Sequence, residues 1–173
     1  MKKILLSTLF SLFCSLSLFA QTTLKGAENF SIALPNNWQR TLGANDLASV
    51  QWENKTDEIY GYVIFENIDE IKLLELSDDI TSIANYADLA TNDFSDLPKF
   101  KKNTSKRFKT TLGLETEQRE ISYFNEELNI QIMMLINVYK SEHFIYKMIN
   151  FGTEETFNKG KKDIDYIINN FKL

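Results

Sequence analysis

A chain of 173 residues with 24 acidic against 19 basic side chains carries a net charge of −5, which argues against broad nucleic-acid binding, an activity that relies on a strongly basic surface. A single cysteine, Cys14, and a single histidine, His143, rule out a disulfide framework and fall short of the usual zinc ligand sets. With 43% hydrophobic residues, 13% of the chain being aromatic, there is enough apolar material for a sizeable core.

The chain opens with a targeting pattern. Met1, Lys2 and Lys3 make a basic start, Ile4 to Phe19 is mostly apolar, and Ala20 is a small residue ahead of Gln21. Together these mark residues 1–20 as a secretory signal peptide. The apolar run is short of the ~20 residues of a bilayer span and rich in serine, which disfavours a retained anchor. Leu18 is larger than the usual residue two before the cut, so the cleavage position is less sharply defined than the segment. Lipidation at Cys14 is disfavoured, since Phe13 stands where a small residue is required and the apolar run continues past it. Cleavage removes Cys14 with Lys2 and Lys3, leaving a thiol-free and more acidic mature chain. Residues 21–173 hold no repeat, low-complexity tract or Pro/Gly-rich linker and read as one domain. Its expected place is the periplasm or the outside of the cell, without a lipid anchor or a transmembrane segment.

The mature chain begins with a strand, Phe30-Ser31-Ile32-Ala33-Leu34, whose apolar residues share one face at the period of two. Pro35 ends it, and Asn36-Asn37 suits a turn before Trp38. Further strands follow over Leu47–Glu53, with Ala48, Val50 and Trp52 on one side, and over Ile59–Glu66, dense in β-branched and aromatic residues. The period then changes. Ile80, Ile83, Ala84, Ala87, Ala90, Phe94 and Leu97 recur three and four apart, predicting an amphipathic helix capped by Ser77-Asp78-Asp79 and stopped by Pro98. Strands return over Phe100–Lys109, Leu112–Tyr123, Ile130–Val138 and His143–Phe151. In the third of these Ile130, Ile132, Met134, Ile136 and Val138 alternate without a break, and Met133 and Leu135 on the other face predict cover on both sides. Phe157, Ile164, Ile167, Ile168 and Phe171 form the stripe of a closing helix, with Thr153 as cap and Glu154 and Glu155 in its first turn. The class is α+β: an antiparallel sheet of about six to seven strands, packed with a central and a C-terminal helix.

This order, with the opening FSIALPNNW and the closing IINNF, resembles the PsbP-like superfamily. That group includes the extrinsic PsbP subunit of photosystem II, bacterial DcrB-type proteins, Ran-binding Mog proteins and chaperones associated with secreted bacterial effectors. The resemblance covers nearly all of residues 28–173 and rests on patterns of burial. It implies an α/β/α-type sandwich used as a largely non-enzymatic scaffold whose members differ in partner, and it transfers no catalytic residue. In such a fold Trp38 would return onto the rim of the sheet and close the end of the core; the alternative is a contact with a partner.

The catalytic inventory is thin. His143 sits at a hairpin exit, and no G-x-S-x-G elbow supplies a nucleophile for it. Glu66, Asp69, Glu70, Glu75, Asp78 and Asp79 crowd one segment but lack the spacing of a calcium loop, and helix capping with a solvated face explains them. No catalytic residue, metal or cofactor is implied, and the expectation is a protein that is not an enzyme.

One stretch stands apart. Residues 98–110, PKFKKNTSKRFKT, carry Lys99, Lys101, Lys102, Lys106, Arg107 and Lys109 with no acid. Uninterrupted alternation puts Lys99, Lys101, Arg107 and Lys109 on one face and Phe100, Lys102, Lys106 and Phe108 on the other. Lysines on an edge strand guard against aggregation, while the same charges make an interaction surface for an acidic partner or for anionic lipid headgroups. The leading functional expectation is a binding or accessory module for another envelope or secreted protein. The alternatives are a small-molecule or lipid carrier, lined by Met133, Met134 and Met148, and a hydrolase working with carboxylates alone.

Overall fold

The computed structural model describes residues 22–73 and 82–173. The segment expected to be a signal peptide, with Cys14, and the expected capping run Ser77-Asp78-Asp79 with Glu75 and Ile80, lie outside the described residues.

A seven-stranded antiparallel sheet forms the middle layer. Its strands are β3 (Gln39–Arg40), β4 (Val50–Asn54), β5 (Ile59–Asn67), β9 (Phe144–Thr153), β8 (Ile130–Lys140), β7 (Glu115–Asn125) and β6 (Lys101–Lys109), in that spatial order. The long strands are those with the clearest alternation. In β8, Met133, Leu135 and Tyr139 point to one side and Met134, Ile136 and Val138 to the other, and all six are buried. A strand apolar on both faces must be covered on both, and it is.

One face is covered by helix α2 (Ile83–Asn92), with α1 (Ile68–Leu73) ahead of it. Ile83, Tyr86, Ala87 and Ala90 of α2 pack with Ile71 of α1 against Tyr62, Ile121, Ile136 and Ile149 of the sheet. The Ser82 hydroxyl caps α2 by accepting from the Asn85 backbone N–H at 3.1 Å. The helix stops at Asn92, short of Pro98, because Asn92, Asp93 and Ser95 favour turns over helix. Phe94 therefore leaves the helical stripe, yet still stacks on Tyr123 with centroids 6.4 Å apart.

The other face is covered by a small sheet and two short helices. The expected first strand is real as β2 (Ser31–Leu34), but it belongs to a separate three-stranded sheet between β1 (Thr22–Lys25) and β10 (Phe171–Lys172). The expected closing helix is two, α3 (Glu154–Lys159) and α4 (Lys161–Asn169), meeting at Gly160. Thr153 caps α3 as its sequence indicated, accepting from the Thr156 backbone N–H at 3.2 Å. Phe171 follows the helical spacing but lies in β10, beyond the end of α4 at Asn170. There it stacks on Tyr139 at 4.4 Å and meets Phe30 at 5.4 Å. Phe30, Ile32, Leu34, Trp52, Phe157, Ile164, Ile167 and Ile168 complete this half of the core. Of the side expected for Leu47–Glu53, Val50 and Trp52 hold, whereas Ala48 lies in the loop before β4 and packs toward the α2 face.

Candidate functional site

The sheet has two unequal edges. At one end β3 offers two residues; at the other β6 offers nine, nearly all exposed. Five of the six singled-out cations lie within β6. Lys99 precedes it, in left-handed backbone at φ 53°, with its ammonium 4.1 Å from the centre of the Phe124 ring.

The faces differ from simple alternation. Lys101 pairs with Ser122 and Lys102 with Ile121, but Thr104 then pairs with Glu120, so Asn103 is an extra residue at a β-bulge. One inserted residue exchanges the faces of everything after it. Lys101, Lys106 and Phe108 consequently share the face of the terminal helices, and Lys102, Arg107 and Lys109 the face of α2, correcting the grouping of Lys101 with Arg107 and Lys109. Phe108 is half-buried against the terminal-helix core, with the Lys106 ammonium 4.9 Å from its ring centre. Only the polar run Asn103-Thr104-Ser105 hints at the bulge in the sequence.

The neighbouring strand does little to neutralise this charge. Of the β7 acids, Glu117 is bonded by Arg119 and Glu120 by Lys161 at 3.0 Å. Only Glu115 turns to β6, accepting from Arg107 at 2.8 Å, and this hydrogen bond holds its carboxyl below the usual glutamate range. Lys102 donates to the Asn92 side chain at 3.0 Å. Among the described residues neither Lys101 nor Lys109 forms an ion pair. An excess of positive charge is therefore presented to solvent along one edge of an acidic protein.

Helix α2 packs chiefly over β7, β8 and β9 and reaches β6 through the hydrogen bond of Asn92 with Lys102. A cleft of about 310 Å³ opens between α2 and the edge, lined by Asp88, Thr91, Lys102 and Arg119. On the other face a cleft of about 700 Å³ is lined by Lys99, Lys101, Gln131, Met133 and Glu154. Beneath the first, Arg119 donates to Glu117 and, at 2.9 Å, to Asp88. Burial opposes its charge, but those two bonds outweigh the burial and its pKa is raised.

The remaining candidates are dispersed. Trp38 is 3% exposed, packs in the terminal-helix core, and donates from Nε1 to Asp163 of α4 at 2.9 Å. His143 lies in the turn before β9 with its side chain 66% exposed, 3.9 Å from Glu142. Asp69 and Glu70 occupy the first turn of α1, while Glu66 meets the Tyr86 hydroxyl. Burial first, then that carboxylate, pushes the tyrosine pKa up. Met134 packs toward α2 and Met133 and Met148 toward the terminal helices, so the three line no common cavity. Among the described residues no group of three or more acids and histidine is gathered to hold a metal, and no helix is long and apolar enough to cross a membrane.

No protein-family model matches the chain, and no curated protein matches it in sequence. Solved structures do match. Cyanobacterial PsbP (CyanoP) from Synechocystis sp. PCC 6803 superposes with a TM-score of 0.62 at 12% identity, over 91% of this chain and 95% of its own. LpqN of Mycobacterium tuberculosis, described as involved in cell envelope biogenesis, gives 0.53 at 11% identity, over 90% of this chain and 86% of its own. A protein from Bacteroides thetaiotaomicron gives 0.58 at 8% identity, with 89% of this chain covering 48% of that one. The element order, the two-sided cover of the sheet and these superpositions agree: the chain has the PsbP-like fold.

Proposed function

We propose that the protein is a non-enzymatic accessory module, exported by its signal peptide, that holds another envelope or secreted protein through the basic edge at β6. The observation that carries this reading is the concentration of Lys101, Lys102, Lys106, Arg107 and Lys109 on the long free edge of a sheet in a chain of net charge −5, with Lys99 beside them. Such a patch attracts an acidic surface over several ångströms and orients the encounter. The likeness to CyanoP and to LpqN supports a scaffold that serves by binding, and the envelope context of LpqN supports the location.

The test replaces Lys101, Arg107 and Lys109 together by glutamate and places a photocrosslinking residue at Thr104. In the native envelope fraction the unaltered surface is expected to give a discrete crosslinked species that the charge-reversed one loses. Partner crosslinks that survive the reversal would remove the surface from consideration. N-terminal sequencing of the exported chain is expected to read from Gln21.

A further inference from the structure

We infer that the partner engages by adding a strand to β6, and that the added segment is extended and amphipathic, with acidic and apolar residues alternating. This rests on the binding reading above and specifies its mode. After the bulge at Asn103, residues Thr104 to Lys109 pair in unbroken register with Glu120 to Glu115, a regular ladder roughly 20 Å long at ~3.3 Å per residue. Among the described residues no strand lies beside the outer side of that ladder, so its backbone donors and acceptors can pair with a further one.

The two faces specify what that strand carries. Toward α2 an incoming side chain meets Ser105, Arg107 and Lys109; toward the terminal helices it meets Thr104, Lys106 and the half-buried Phe108. Directly opposed residues in a sheet lie about 5 Å apart, and opposite charges or matched apolar groups at that distance stabilise the pair. Acids on the α2 side would be matched by Arg107 and Lys109, and an apolar residue on the other side would extend the surface of Phe108. Glu115 already accepts from Arg107, but that pair is about half exposed, 59% and 52% for the two side chains. A pair so exposed is weak enough for the guanidinium to be shared with an incoming carboxylate.

A second copy of the chain is a poor occupant. Edge-to-edge pairing of two β6 strands would bring two cation-rich edges together with no acid of β6 between them, and like charges across a strand pair destabilise a sheet. The opposite edge, β3, is too short to supply a ladder.

The test uses the mature protein and a fluorescent synthetic peptide alternating glutamate and valine. A second peptide is the same but methylated on its backbone nitrogens, keeping the charge and losing the ladder donors. The first is expected to bind and to slow amide exchange along residues 104–109. Methylation should weaken binding at least about tenfold, since several backbone bonds are lost and each counts for roughly a factor of five. Replacing Arg107 and Lys109 by glutamine should do the same with little change in the thermal midpoint, since the one pair lost, Arg107 with Glu115, is about half exposed. If both peptides bind equally and exchange is unaffected, strand addition is overturned while charge-guided binding stands. If neither peptide binds but the Thr104 crosslink remains charge-dependent, strand addition is again overturned and the partner docks by its surface. If neither binds and crosslinks ignore charge, both readings fall. Protection of 104–109 by phosphatidylglycerol vesicles but by neither peptide would assign the edge to lipid and overturn the inference.

Discussion

The indole of Trp38 and the carboxylate of Asp163, 125 residues apart in sequence, meet in a 2.9 Å hydrogen bond. It ties the turn after β2 to the first turn of α4, where an acid also suits the positive end of the helix. Trp38 thus closes one end of the core with its ring and fastens the lid with its N–H.

That arrangement separates two effects. Trp38→Ala should lower unfolding stability by about 3–5 kcal/mol, the usual cost of emptying a large aromatic site. Trp38→Phe keeps most of the ring burial and should cost about 1 kcal/mol, close to one net hydrogen bond. Urea denaturation followed by circular dichroism measures both, and a midpoint unmoved by the alanine would return Trp38 to the role of a surface contact.

Gly61 is held small by its neighbours. A Cβ there would fall 2.4 Å from Trp52 Nε1 and 2.6 Å from Asn150 Oδ1, two buried atoms bonded to each other at 3.1 Å. Gly61→Ala should therefore destabilise by about 1–3 kcal/mol, as overpacking does. Calorimetry checks it, and an unchanged melting temperature would show that the indole has room to move.

The ion triad beneath α2 should respond in a fixed order. Arg119 and Glu117 expose only 10% and 9% of their side chains, whereas Asp88 exposes 57%. Arg119→Ala leaves Glu117 buried without its cation and should cost about 3–5 kcal/mol. Glu117→Ala leaves Arg119 its bond to Asp88 and should cost less, and Asp88→Ala least. A set of denaturation curves in which the Asp88 variant is weakest would contradict the burial argument.

Asp57 and Lys159 link the β4–β5 turn to α3. The hydrogen bond from Lys159 is the main cause holding the Asp57 carboxyl below its ordinary value of 3.8. A depressed folded pKa contributes stability above the unfolded value, and that contribution is lost as pH falls through the folded one. Lys159→Met should therefore lower the urea midpoint at neutral pH, with the gap from the unaltered protein closing in strong acid. A gap that persists once Asp57 is protonated would mean that the lysine acts through packing.

What was legible in the sequence follows burial. β8 stands out because its residues are apolar on both faces, and the α2 stripe because Ile83, Ala87 and Ala90 sit at helical spacing. Strands β3 and β10 are two residues long, too short for any period to show. Phe171 kept the helical spacing of its neighbours, yet the chain left the helix at Asn170, and periodicity alone cannot distinguish those outcomes. The basic edge was legible as charge because no acid interrupts it. Its two faces were not, because Asn103 shifts the register without changing composition, and pairing with β7 decides that shift.

The mismatch between the two borders of the large sheet limits stoichiometry. A border of nine residues can receive a strand, while one of two residues cannot pass the pattern on. Growth by pairing at the borders of this sheet would stop after a single addition, so this sheet would take one strand only. On the strand-addition reading, the large sheet would cap one exposed strand of a partner and would not bridge two through its own borders.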